Sequence, residues 1–113
     1  MKIFITGGAG YIGTSLIPKF LKDGHSVTAY DCLLHGGNQI IPFFKNSKFK
    51  FIRGDIRDYD LLKKSVEGHD VVVHLAAIVG FPACKMNPKI ARSVNVTGTK
   101  NLIRACKEEN QPI

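Results

Sequence analysis

Four glycines within seven residues, Gly7-Gly8-Ala9-Gly10-Tyr11-Ile12-Gly13, constrain this chain more than any other feature. They follow a short apolar run, Lys2 to Thr6. They precede a helical pattern in which Ile12, Leu16 and Phe20 recur on one face, with Ile17 and Leu21 beside them. A strand that turns through glycines into a helix is suited to holding phosphates. Gly7 or Gly8 permits the tight turn, Gly10 lets a pyrophosphate approach the backbone, and Gly13 lets the helix pack closely on the first strand. The helix N-terminus adds unpaired N–H groups and the positive end of its dipole. Asp31 ends a second apolar run, at the distance expected for an acid that binds ribose hydroxyls and repels a 2′-phosphate. Cys32-Leu33-Leu34 brings no cation to that place, so the expected ligand is NAD rather than NADP.

The rest of the chain alternates strand and helix patterns. Ser26 to Asp31 and Phe49 to Arg53 read as strands, and Asp58 caps a helix through Val66 that Gly68 ends. Asp70 to Leu75 contains Val71-Val72-Val73, apolar on both faces as a central parallel strand requires. Asn87-Pro88 opens a long helix to about Glu109. Gly24 stops the first helix, and Pro18 is expected to bend it. Between Cys32 and Lys48 the pattern is weak: a turn at Gly36-Gly37, then a short helix over Gln39 to Phe44 interrupted by Pro42. This order predicts an α/β fold, a Rossmann-type doubly wound parallel sheet with strands in the order 3-2-1-4, as one domain over residues 1–113. Gln111-Pro112-Ile113 looks like the approach to another strand, so the sheet is expected to be truncated after about four strands.

Composition excludes several other classes. With 44% apolar residues the chain can bury a real core. No run of about 18 apolar residues offers a membrane span, and the N-terminal apolar stretch is too short for a signal peptide. Cys32, Cys84 and Cys106 are odd in number and widely spaced, as reduced thiols are, and a cytoplasmic location is expected. The net charge of +7 comes from 16 Lys and Arg against 9 Asp and Glu. These cations are dispersed along helix faces without interleaved aromatics, so no nucleic acid is expected as partner. His25, His35, His69 and His74 lack ligand spacing, and no metal is expected. His74 reads as a satisfied core histidine and Cys84 as an ordinary thiol in a loop.

Four motifs in order, Thr6 to Gly13, Gly54-Asp55-Ile56, His74-Leu75-Ala76-Ala77 and Asn95-Val96-Thr97-Gly98-Thr99, give the chain a resemblance to a known family. Together they resemble the extended short-chain dehydrogenase/reductases, and more narrowly the NAD-dependent epimerases and dehydratases of nucleotide sugars. The resemblance spans almost the whole chain. It implies NAD bound by Gly7, Gly10, Tyr11, Ile12, Gly13, Asp31, Asp55, Ile56, Leu75, Ala76 and Ala77. Asp55 would contact the adenine amino group and Ile56 flank the ring, while Leu75, Ala76 and Ala77 lie against the cofactor. Asn95 would tie the long helix to the central strands, and Gly98 would let that helix approach the sheet. The family's catalytic Ser or Thr and its Tyr-x-x-x-Lys pair come after the next strand. Tyr11, Tyr30 and Tyr59 all fall in the wrong region, so this stretch is expected to lack the catalytic motif and to be inactive alone. Its parent would act by transient hydride transfer at a sugar carbon. An NAD(P)-dependent reductase of the same superfamily and a non-catalytic dinucleotide-binding module remain alternatives. The strand around Val71 to Leu75 would form a sheet edge, and chains are expected to self-associate through it or through the bare face of the final helix.

Overall fold

The computed structural model describes residues 1–113, with the side chains of all but 81–83. The apolar runs become four parallel strands: β1 Lys2–Thr6, β2 Ser26–Asp31, β3 Phe49–Arg53 and β4 Val71–His74. Their order in the sheet is β3-β2-β1-β4, as the alternation predicts. Register is in phase along the sheet, with Thr6 beside Tyr30 on one flank and beside His74 on the other. Side chains of a strand alternate between faces, so the sheet has two cores. Ile3, Ile5, Val27 and Ala29 pack on one side with Ile17 of helix α1 (Tyr11–Lys22). Phe4, Tyr30 and Val72 pack on the other with Leu62 and Val66 of α2 (Tyr59–Val66) and Leu102 and Cys106 further along.

The connections carry the differences from expectation. Between β2 and β3 the helical segment is a 3₁₀ helix, Asn38–Lys45, in which Pro42 has no N–H to give an α-helical ladder. Pro18 lies inside α1, which continues past it to Lys22. Asp58 caps α2 by accepting from the Leu61 N–H at 3.2 Å. After β4 an unexpected short helix, α3 (Phe81–Met86), precedes the Asn87 cap, so Cys84 lies in a helix rather than a loop. The long helix is three joined segments: α4 (Pro88–Arg92), a π-helical stretch (Ser93–Gly98) and α5 (Thr99–Glu108). A Cβ on Gly98 would sit 2.4 Å from Ile56 Cγ2. The glycine therefore admits Ile56, from the loop after β3, rather than the sheet itself. The edge at β4 is also less bare than its pattern implies, because the Val72 N–H donates to the Pro112 carbonyl at 2.9 Å. Among the described residues, no helix is long and apolar enough to cross a membrane.

Candidate functional site

The C-terminal ends of β1, β2, β3 and β4 open onto one cleft, where open α/β sheets bind ligands. Gly7 makes the turn out of β1 with φ +72°, and a Cβ there would lie 2.7 Å from the Ala76 nitrogen. A Cβ on Gly13 would lie 2.5 Å from the Gly8 carbonyl oxygen. That glycine lets α1 sit on the turn itself, rather than on the first strand as its spacing implies. Gly10 at the N-cap supplies no side-chain hydrogen bond, and the first turn of α1 holds no acidic residue. The helix therefore presents its unpaired donors and dipole to the cleft without an internal anion to neutralise them.

Asp31 is fixed across the mouth of that turn. Its Oδ2 accepts from the Ala9 N–H at 3.0 Å and its Oδ1 from the Leu33 N–H at 2.8 Å. The second bond closes a local turn in which Leu33 takes φ +61°, a conformation that side chains other than glycine seldom adopt. Each carboxylate oxygen keeps a further lone pair for a ligand hydroxyl. Tyr30 has a buried ring, and its hydroxyl donates to the Asp55 carbonyl at 2.8 Å. Burial, with smaller contributions from Asp58 and Asp55, pushes that phenol far above its ordinary pKa, so it stays protonated. Asp55 faces Arg57: its Oδ2 lies 2.6 Å from the guanidinium, and Oδ1 accepts the Arg57 N–H at 2.8 Å. That hydrogen-bonded guanidinium holds the Asp55 carboxyl below the usual carboxylate range.

Gly7, Gly10, Asp31, Asp55, Ile56, Leu75, Ala76 and Ala77 all line this cleft, which encloses about 190 Å³. Closed ligand pockets usually span about 300–1,000 Å³, so the enclosed part suits one end of an extended ligand. Gly13 supports the turn from behind. Tyr11 and Ile12 stand outside the lining, with Tyr11 92% exposed. The sequence reading missed Tyr30, Cys32, His35, Arg57, Ile78, Ile90 and Val94, which complete the walls together with Ala9, Leu34, Gly36 and Gly54. Strand alternation could have flagged Tyr30. Ile90 and Val94 arrive only through the fold of the long helix.

Asn95 ties that helix to the loop after β4 and not to a strand itself: its Oδ1 accepts the Ile78 N–H at 2.7 Å, and its Nδ2 donates to the Ile78 carbonyl at 2.8 Å. His74 is half-buried with both ring nitrogens hydrogen-bonded, as a satisfied core histidine is. Cys84 gives its thiol to the Ile78 carbonyl at 3.4 Å. The expected lack of a Tyr-x-x-x-Lys sequence needs correction, because Tyr59-Asp60-Leu61-Leu62-Lys63 has that spacing. Neither Tyr59 nor Lys63 lines the cleft, however. The Tyr59 hydroxyl donates to Glu108, Lys63 pairs with the same carboxylate at 3.0 Å, and Arg104 lies 4.2 Å over the Tyr59 ring. The pair joins α2 to α5.

Comparison with known proteins agrees with this geometry. The model of the 3-beta hydroxysteroid dehydrogenase/isomerase family matches residues 4–112. A UDP-glucose 4-epimerase of Mycolicibacterium smegmatis is 37% identical over 109 residues, 95% of this chain and 35% of that protein. A dTDP-glucose 4,6-dehydratase of Streptomyces niveus is 40% identical over 93% of this chain and 34% of its own length. The structure of a dTDP-glucose 4,6-dehydratase from Streptomyces venezuelae, solved with NAD bound, superposes with a TM-score of 0.91 at 28% identity, covering 98% of this chain and 37% of that one. The chain thus spans about a third of the length of these relatives.

Proposed function

Because the chain belongs to the 3-beta hydroxysteroid dehydrogenase/isomerase family, within the extended short-chain dehydrogenase/reductases, we propose that it is the NAD-binding portion of a nucleotide-sugar epimerase or dehydratase. The observation that carries this reading is the uncapped N-terminus of α1 beside a carboxylate already oriented at the end of β2. Pyrophosphate would lie over Gly7 to Gly10, ribose hydroxyls against Asp31, and adenine in the enclosed part walled by Tyr30, Gly54, Asp55 and Ile56. Leu75, Ala76 and Ala77 would border the path toward the nicotinamide. Bound NAD would supply the hydride acceptor for transient oxidation at a sugar carbon. This chain's own part is to bind and orient it. Sugar-nucleotide recognition and the acid/base tyrosine would lie in a part of the protein beyond these residues, as the relatives' greater length supports. Tyr59 and Lys63, committed to Glu108, take no part. Self-association at the β4 edge belongs to the same reading.

Titration of the chain with NAD and NADP tests the proposal. NAD is expected to bind more tightly, and Asp31→Ala to remove the preference. Equal affinity of the native chain for both dinucleotides would overturn the role given to Asp31, and no affinity for either would overturn the reading of the cleft.

A further inference from the structure

His74 lies on β4 beside Thr6 of β1 and does not itself line the cleft. Its ring is hydrogen-bonded at both nitrogens, Nδ1 at 2.7 Å to Thr6 Oγ1 and Nε2 at 2.9 Å to Thr99 Oγ1. Counting protons fixes the direction of each bond. The Thr99 hydroxyl has one proton and donates it to the Asn95 carbonyl at 2.7 Å. It must therefore accept from His74 Nε2–H. A neutral imidazole protonated at Nε2 is an acceptor at Nδ1, so Thr6 gives its single proton there. The Thr6 hydroxyl oxygen in turn accepts from the Ala76 N–H at 3.3 Å and shares the Leu75 N–H, at 3.2 Å, with the Thr6 backbone carbonyl, which takes it at 3.0 Å. A one-way line of hydrogen bonds thus runs from the Leu75 and Ala76 amides through Thr6, His74 and Thr99 to the Asn95 backbone. The Asn95 side chain then holds Ile78 at both its N–H and its carbonyl. Both ends of the line meet the same wall of the cleft.

We propose that His74 is a positioning residue, whose Nε2–H tautomer anchors the wall Leu75 to Ile78 at both ends, to β1 through Thr6 and to the π-helical stretch through Thr99 and Asn95. Only its consequence for affinity rests on reading the cleft as a dinucleotide site. Burial alone keeps the His74 pKa below the ordinary histidine value, which favours the neutral ring the line requires. Val72 and His74 share a face of the sheet, and besides His69, which packs on Phe4 and meets the Thr28 hydroxyl, the titratable groups packed there are Tyr30 of β2 and Cys106 of α5. Burial keeps both protonated and uncharged, the Cys106 thiol being pushed up to about 11. A protonated His74 would put donors on both nitrogens and leave Thr6 facing three donors with no acceptor for its own hydrogen.

Nitrogen NMR of the 113-residue chain tests this, because it reads ring protonation and individual amides separately. The ring should be protonated at Nε2 and bare at Nδ1. His74→Phe should shift the Ile78 N–H and the Asn95 side-chain amide, and weaken NAD binding by about tenfold. His74→Gln keeps one donor and one acceptor and should restore both readouts in part. A role in packing alone predicts the reverse ranking, since Phe retains the ring volume. That ranking, or a proton on Nδ1, would overturn the proposal. Should His74→Phe fail to fold, Thr99→Val cuts the same line from the other end and must shift the same two amides. A wild-type chain that binds no NAD would refute the proposed function, while the amide shifts would still decide the role of His74.

Discussion

At Gly7 two constraints coincide, a left-handed backbone and an Ala76 nitrogen 2.7 Å from where a Cβ would stand. Gly7→Ala is therefore expected to destabilise the chain by about 2–4 kcal/mol and to abolish dinucleotide binding. Chemical denaturation checks this, and a variant as stable as the parent would mean that the turn relaxes. Cys32 offers a reporter of occupancy, since it is exposed and lines the cleft while Cys106 is buried. Saturating NAD should slow alkylation of Cys32 and leave the slow labelling of Cys106 unchanged. An unaltered Cys32 rate would place the ligand elsewhere. His74 sets a dependence on pH. Its folded pKa is depressed, so the unfolded chain binds the proton more readily. Its contribution to stability is complete above the free-histidine value of about 6.5 and is lost as pH falls through the lower folded value. Melting temperature should drop between neutral and mildly acidic pH, and by less in His74→Gln.

The long helix reaches both walls of the cleft, one from its π-helical stretch and the other from α5. Asn95 holds Ile78, while Asn101, three residues past the end of that stretch, donates to the Ile56 and Arg57 carbonyls at 3.3 and 3.2 Å. Asn95→Ala would leave the Ile78 N–H without its partner and the Ile78 carbonyl with only the weak Cys84 thiol bond, and a loss of about 2–3 kcal/mol in urea unfolding is expected. Lys63→Ala, in contrast, should leave NAD affinity unchanged, because Lys63 is engaged with Glu108 at the contact of α2 and α5. A marked loss there would revive a ligand role for the Tyr59–Lys63 pair. These cases mark what was legible in the sequence. All four strands and α2 were, because periodicity, glycine stops and the Asp58 cap are local signals. The π-helical stretch was not, because Ser93 to Gly98 carries no local mark of it, and what sets it in place are contacts to Ile56, Ile78 and His74 far away in the chain. The same limit applies to the cleft. Gly7 and Asp31 announce themselves through neighbours in sequence, whereas Val94 and Ile90 become walls only when the helix docks. Tyr59 shows the converse, a familiar spacing whose meaning is decided by the helix it packs against.

On the scale of the molecule, β3 and β4 are the two edges of the sheet, and β4 has one N–H already given to Pro112. Its remaining edge groups, together with Ile103, 43% exposed on α5, are the surface through which copies are expected to associate. Light scattering should detect dimers at high concentration, and a strictly monomeric chain would remove that expectation. The two cores differ in another respect. On the α1 side, every fully buried member, from Ile3 to Phe49, lies in the first half of the chain. On the other side Phe4 and Tyr30 must wait for Leu102 and Cys106. A chain emerging from the ribosome could thus close one hydrophobic layer early, over short loops, and would carry the opposite face of the same strands covered only by α2 until α5 arrived.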